Sequence, residues 1–361
     1  MVVKVSKPEI NVREKINELD KPSGTAGEAM LRAETPQEQF NLIGAGRRNI
    51  LINGAFEVFQ RGAGPASPSS GNSPSTADKW NIPNTSEVSE VLANDRASHL
   101  TKMLKVTATS SGYGQVAQWV ENVRTAAGQS LTVSFWAKSP NAGPLRFHIY
   151  QNFGSGGSST VSIIDNSNYF TINQADTWQR FEATIEIPSV SGKTIGAGSF
   201  LAVQTGAPSS IASRVVYYSE FQAELGKVAT PFEHRSYGEE LALCQRYFEM
   251  IEFENSQDQN GSSSAEMLIG NGFAYTGGRA LNHLKFNHQK RIPPKVTINN
   301  VVYYEVLDSN AGWVTSNLVN TRANIHGTRI DAYFPGNVLT PGRALEVRLL
   351  SGGKISIDAE L

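Results

Sequence analysis

The sequence holds a single cysteine, Cys244, in 361 residues. A disulfide within the chain is thereby excluded, as is a thiolate metal cluster. Cys244 lies in a helix-patterned stretch and reads as a buried thiol that packs like a small hydrophobe. Charge is also sparse: charged residues make up 18% of the chain and the formal net charge is −1. Acidic and basic residues are scattered, so no basic stripe collects nucleic acid and no acidic tail recruits cations. Long apolar runs are missing too. None approaches the roughly 18 residues that cross a bilayer. Residues 1–8, with alternating Val and Lys, lack the apolar core of a secretory leader. The expectation is a soluble protein made in a cytoplasm, without membrane insertion or a nucleic-acid partner. No internal repeat is visible, which argues against the long parallel β-helices of repeat architectures.

The residues that are abundant point the other way, to ordered β structure. Gly (32 residues), Ser, Thr and Asn accompany a hydrophobic fraction of 39%, a turn-rich and foldable composition. At this length two globular domains with accessory segments are expected. The fold class read from the pattern is mainly β: two antiparallel, jelly-roll-like β-sandwiches behind a short helical or extended N-terminal arm. The boundaries are 1–48 for the arm and 49–235 for the first sandwich. A helix and linker fill 236–264, and the second sandwich spans 265–361.

In the arm, Asn11 caps a helix whose stripe is Val12, Ile16 and Leu19, and Thr35-Pro36 opens a second carrying Phe40 and Ile43. Helices this short are marginal alone, below about 12–15 residues. Their apolar stripes must be buried on the chain's own sandwich, on a partner, or around a symmetry axis.

From Asn49 the period becomes two. Leu131, Val133 and Phe135 alternate with Thr132, Ser134 and Trp136. Leu145, Phe147 and Ile149 alternate with Arg146, His148 and Tyr150, and a third run covers Phe181–Ile187. Four motifs occur in order: Asn49–Glu57, Ala77-Asp78-Lys79-Trp80, Ser134–Lys138 and Thr177–Phe181, before a closing strand at Val215–Leu225. Together they resemble the galactose-binding-like jelly roll of carbohydrate-binding modules. That resemblance implies glycan binding and a structural calcium. Ser219 or Glu220 stands where the family usually has an aspartate, which does not support the calcium. No cofactor is therefore expected.

A second resemblance follows. Asn53-Gly54-x-Phe56-x-x-Phe59-Gln60-Arg61-Gly62, with Ala229–Tyr237 and Glu239–Phe248, is similar to the junction of many bacteriophage tail proteins. It implies a structural tail-fibre subunit of a virion that attaches by its arm to other tail proteins, forms a homotrimer and meets a host cell-surface glycan. Glu239–Phe248 reads as a helix that buries Leu241 with Cys244 and Leu243 with Tyr247 on one side. Beyond a polar linker, short strands are predicted at Leu281–Phe286, Lys295–Ile298, Val301–Leu307, Arg329–Phe334, Ala344–Leu350 and Lys354–Glu360.

No catalytic constellation emerges. The six histidines are dispersed, and no nucleophile elbow, phosphate loop or dinucleotide fingerprint occurs. Neither catalytic nor metal-binding residues are assigned. The candidate carbohydrate platform is Trp136, Arg146, His148 and Tyr150, expected side by side on one outward sheet face. The same row also reads as a subunit interface or as intrachain packing, readings that outweigh sugar binding on residue types alone. Trp80, Trp119 and Trp178 read as packing residues. The competing readings are a carbohydrate-binding module of a glycan-degrading system and a tail-associated depolymerase.

Overall fold

The computed structural model describes residues 48–64, 76–82, 85–92, 102–108, 114–208, 211, 213–253 and, with short breaks, 256–360. The arm residues Val12, Ile16, Leu19, Phe40 and Ile43 lie outside these.

The first unit is a two-sheet sandwich. Its strands are β1 (Thr85–Leu92), β2 (Lys102–Ala108), β3 (Gln115–Glu121), β4 (Ser130–Lys138), β5 (Gly143–Asn152), β6 (Val161–Ile172), β7 (Gln179–Glu186), β8 (Phe200–Gly206) and β9 (Val215–Leu225). One sheet runs β1-β2-β9-β4-β7 and the other β3-β8-β5-β6, with antiparallel neighbours throughout. The inward residues of the two sheets meet in an aromatic core. Phe135 stacks on Phe221 at 4.6 Å, and Trp80 lies 5.0 Å from Phe221 and 5.1 Å from Phe56. Full burial of each such ring contributes about 1.5–3 kcal/mol.

The Asn53-Gly54 pair ties the entry of the chain to this core. Gly54 sits against β9: a Cβ there would lie 2.1 Å from the Phe221 carbonyl oxygen, while the Phe221 N–H donates to the Gly54 carbonyl at 2.8 Å. A methyl group has no room because the obstacle is backbone. Gly54→Ala is therefore expected to cost about 2–3 kcal/mol through overpacking. Urea denaturation of that variant with an unchanged midpoint would refute this reading.

After the sandwich comes α1 (Tyr237–Gln245), which starts with a capping box. Ser236 Oγ accepts from the Glu239 N–H at 3.3 Å, and Glu239 Oε2 accepts from the Ser236 N–H at 3.2 Å. The buried residues of the helix are Glu240 and Cys244, whereas Leu241 and Leu243 are only half-buried. The expected leucine face is thus corrected: the inward side carries a carboxylate because backbone donors wait for it there. The Asn53 N–H donates to Glu240 Oε1 at 2.5 Å, and Arg235 NH1 reaches the same oxygen at 3.3 Å. Burial and neighbouring carboxylates push the Cys244 thiol well above its usual range, consistent with an inert packing role.

The rest of the chain forms β10 (Phe248–Glu252), β11 (Ser256–Gln257), β12 (Ser263–Ser264), β13 (Glu266–Thr276), β14 (Arg279–Lys285), β15 (Lys295–Ile298), β16 (Tyr304–Asp308), β17 (Gly312–Thr315), β18 (Asn317–Ala323), β19 (Gly327–Tyr333), β20 (Ala344–Leu350) and β21 (Lys354–Asp358). A sheet ordered β17-β16-β20-β13-β14-β19-β18 packs with a smaller one, β10-β21-β15, around Ile330, Val347, Leu349, Ile355 and Ile357. β10 pairs with β21 along its whole length, so Phe248–Glu252 joins the second sheet system although the sequence suggested a helix end there. Both halves are mainly β and antiparallel, as the alternation predicts.

The two units are joined by polar contacts. Gln60 Nε2 donates to the Phe248 carbonyl at 2.8 Å, Tyr247 Oη donates to Glu121 at 2.9 Å, and Arg61 lies 3.4 Å over the Phe248 ring. Glu360 receives Arg61 at 3.5 Å and Lys79 at 3.3 Å. Asp78, beside Arg61 and Gln60, is so buried that desolvation raises its carboxyl to about 7. Two of the quoted stretches of the tail-protein resemblance, Asn53–Gly62 and Glu239–Phe248, contribute to this joint.

Candidate functional site: a polar and aromatic row on the four-stranded sheet

On β3, β5 and β8 the inward positions are Val116, Val120, Leu145, Phe147, Ile149, Leu201 and Val203. Alternation therefore turns Gln115, Ala117, Trp119, Arg146, His148, Tyr150, Phe200, Ala202 and Gln204 outward. The register assembles these into cross-strand rows. Trp119, Ala202, Tyr150 and Ser162 form one, and Ala117, Gln204, His148 and Asp165 form the next. Each row sets a small alanine beside larger groups. Trp119 and Tyr150 thus stand two strand spacings apart, about 10 Å, with Ala202 between them.

The aromatic rings are continuous across three strands. Trp119 stacks on Phe200 at 4.6 Å with planes 18° apart, Tyr150 meets the edge of Phe200 at 5.9 Å, and His148 lies 4.8 Å from Tyr150. Hydrogen-bonding groups line one side. Gln204 Nε2 donates to Tyr150 Oη at 3.3 Å. Arg146 holds Asp165 at 2.7 Å and Gln115 Oε1 at 3.3 Å, with His148 Nδ1 at 3.2 Å from its NH2. Trp119, His148, Tyr150 and Gln204 are half-buried, so faces and edges remain accessible on a rigid sheet.

Protonation keeps the row neutral at its centre. Burial, then the Arg146 guanidinium, lowers the His148 imidazole, and burial raises the Tyr150 phenol. Between pH 6.5 and 10 the uncharged form of both therefore predominates. An imidazole depressed in the fold contributes stability that is complete above its unfolded value near 6.5 and is lost as pH falls through the folded one.

The structure brings together Arg146, His148 and Tyr150 but not Trp136. β4 belongs to the five-stranded sheet, so Trp136 lies on the opposite outer face of the sandwich. The single platform expected from the sequence is thus split. The reason is topological: β4 and β5 are consecutive, but the turn at 139–142 carries the chain from one sheet to the other. Alternation reveals which side of a strand faces out, never which strand is its neighbour. Conversely, Trp119, Phe200 and Gln204 join the row through β3 and β8, strands that no local sequence signal links to β5. Trp119 does pack, as expected, yet it packs within this outward row. Trp80 is a core residue, its indole N–H donating to the Asn53 carbonyl at 2.9 Å.

Comparison with known proteins bears on this unit. Residues 48–200 match the family model described as carbohydrate binding domain. The first unit is a carbohydrate-binding-module-like jelly roll. Among solved structures, one described as a CBM4 module is 17% identical, with 48% of this chain and 98% of that chain covered at a TM-score of 0.29. A xylan-binding domain from Paenibacillus barcinonensis is 18% identical over 41% of this chain and 92% of its own, with a TM-score of 0.31. The enzymatically active domain of a tailspike protein from bacteriophage CBA120 is 14% identical, covering 49% of this chain and 21% of that one, also at 0.31. No curated protein matches the chain. The assignment of the domain rests on the family match and on its own motifs.

Proposed function

We propose that the jelly roll binds a glycan chain along the row Trp119–Ala202–Tyr150, within a non-catalytic structural subunit of a phage tail. The observation that carries the glycan reading is the row itself. A flat pyranose face is complementary to an aromatic ring, and its hydroxyls both donate and accept. Tyr150, Gln204 and His148 offer groups of both kinds at the ring edges, and the buried Arg146 orients His148. Ala202 is itself fully covered, so a chain lies across the half-buried rings of Trp119 and Tyr150. Burial of aromatic anchors in a preformed site supplies most of the energy in such interfaces.

The tail-subunit part rests on the sequence junction, Asn53–Gly62 with Ala229–Phe248, and the structure adds what those residues do. Gln60 and Arg61 of the first stretch meet Phe248 of the last, and Tyr247 meets Glu121. These residues thus join the two β units, which suits a subunit that carries a glycan-reading domain. On this reading the arm docks on other tail proteins, the chain forms a homotrimer, and the bound glycan belongs to a host cell surface. A carbohydrate-binding module of a glycan-degrading system shares the same row and differs only in setting. Electron microscopy of purified particles labelled with an antibody to this chain separates the two.

Affinity electrophoresis against xylan and bacterial surface polysaccharides tests the row. Tyr150→Ala and Trp119→Ala are each expected to weaken binding about 30-fold, the equivalent of about 2 kcal/mol. Binding should be constant from pH 8 to 6.5 and weaken below, as His148 gains its proton. Retention of full affinity in both variants would refute the assignment.

A further inference from the structure

On the opposite face of the jelly roll lies a pocket of about 470 Å³ that the row above does not use. Its lining includes Ser134, Trp136, Arg180, Glu220, Phe232 and His234. We propose that it is a second carbohydrate site, which takes a single uncharged pyranose residue at the end of a glycan. This goes beyond the reading given for the row and does not depend on it.

The pocket is built, and two devices build it. The first is a strap formed by residues 229–234. On β9, Gln222 and Glu224 project from the outer face because Phe221 and Ala223 point into the core. Glu224 accepts from the Thr230 N–H at 2.8 Å and from its hydroxyl at 2.7 Å. Gln222 accepts from the Glu233 N–H at 2.8 Å, and Arg180 NH2 donates to the Thr230 carbonyl at 2.9 Å. Gln222 and Glu224 are both buried, and the strap they hold stands as a wall over Trp136. These strap residues belong to the motif Ala229–Tyr237.

The second device is a β-bulge. Ser134 pairs with Gln222 and Trp136 with Ser219, so two steps on β4 oppose three on β9. The extra residue allows Ser219 and Glu220 both to fall between the inward Tyr218 and Phe221. Glu220 adopts φ of 49°, a left-handed conformation that a non-glycine residue holds only when its surroundings enforce it. The bulge turns its buried carboxylate into the pocket, 3.9 Å from His234 Nε2. Bulges of this kind concentrate where a side chain has to be re-aimed.

The lining selects the class of ligand. The Trp136 indole is a half-buried flat surface, and Phe232 stands in the strap opposite, its ring 5.0 Å from His234. Arg180, paired with Glu182 at 3.0 Å, and the buried Glu220 leave no net positive field to attract an anionic ligand. Hydroxyl groups suit both, donating to the carboxylate and accepting from the guanidinium. The wall made by the strap favours a chain end over a chain interior, in contrast to the row on the other sheet.

Saturation-transfer NMR on the full chain with the methyl glycosides of glucose, galactose and N-acetylglucosamine, each to 50 mM, tests the proposal. At least one is expected to bind, and its affinity should fall 10-fold or more in Trp136→Ala and in Glu220→Gln. Glu220→Gln preserves shape, so it decides the matter if Trp136→Ala folds poorly. Absence of binding by all three glycosides, or binding that survives Glu220→Gln, overturns the proposal. So does loss in Tyr150→Ala, which would place the bound sugar on the row instead.

Discussion

Replacing Asn53 by Ala is expected to destabilise the jelly roll by about 4–6 kcal/mol. Asn53 is fully buried, and its side chain makes all four hydrogen bonds open to an amide. Its Oδ1 accepts from the Glu57 N–H at 2.8 Å and the Val58 N–H at 3.0 Å, while Nδ2 donates to the Val58 and Asp78 carbonyls at 2.9 and 3.0 Å. Alanine leaves these four backbone groups without their partner, at about 1–3 kcal/mol for each that finds no substitute. The backbone adds to this: φ is 57°, a conformation asparagine tolerates and alanine resists by about 1 kcal/mol. Asn53→Gly removes the backbone share alone and should recover only that increment. Urea denaturation followed through Trp80, whose indole bonds to the Asn53 carbonyl, measures both. A loss below 1 kcal/mol in the alanine variant would mean that the network is dispensable.

The second large effect is expected at Lys290. Its ammonium is wholly enclosed and contacts the carboxylate of Glu249, itself fully buried, while donating to the Gln245 carbonyl at 2.6 Å. Glu249 also accepts from the Asn287 side chain at 2.7 Å. The pair links the end of α1, the strand β10 and the segment before β15. Burial lowers the lysine, and Glu249 opposes that shift. Lys290→Met strands a carboxylate away from water, which costs about 3–5 kcal/mol. The double variant Lys290→Met, Glu249→Met removes both charges and should recover most of the loss, because apolar replacements of buried pairs are often neutral. A double variant no more stable than the single one would show that packing, not charge, is what matters at this position.

How much of this was legible beforehand differs by level. Alternation at Leu131–Phe135 and Leu145–Ile149 located two strands and their inward sides, since side-chain period is a local property. The predicted strands at Lys295–Ile298 and Ala344–Leu350 are found with the same limits. β13 was missed: its Gly270 and Gly272 interrupt the apolar pattern, and a Cβ at Gly272 would strike the Leu281 carbonyl at 2.1 Å. Three of the four proposed sugar-contacting residues share a face because they sit on one strand. Trp136 does not, and nothing near it in sequence records that β4 and β5 occupy different sheets. Trp119 and Gln204 were hidden for the complementary reason, as they reach Tyr150 only through pairing across long loops. The motif Asn53–Gly62 was visible as a motif, yet its role as a joint depended on partners far away in the chain.

Those long separations bear on how the protein is made. Arg61 and Lys79 meet Glu360 across 299 and 281 residues, and Gln60 meets Phe248 across 188. During synthesis the jelly roll therefore emerges with a cluster of Arg61, Asp78 and Lys79 facing outward. It has to wait until residue 360 has been made before the last of its countercharges arrives. Domains generally fold as they emerge, so the first unit spends the translation of some 130 further residues with this surface uncovered. An apolar surface held open for that interval would invite aggregation, whereas a charged one stays hydrated. The polar character of the joint thus lets the two halves be completed in sequence and closed afterwards.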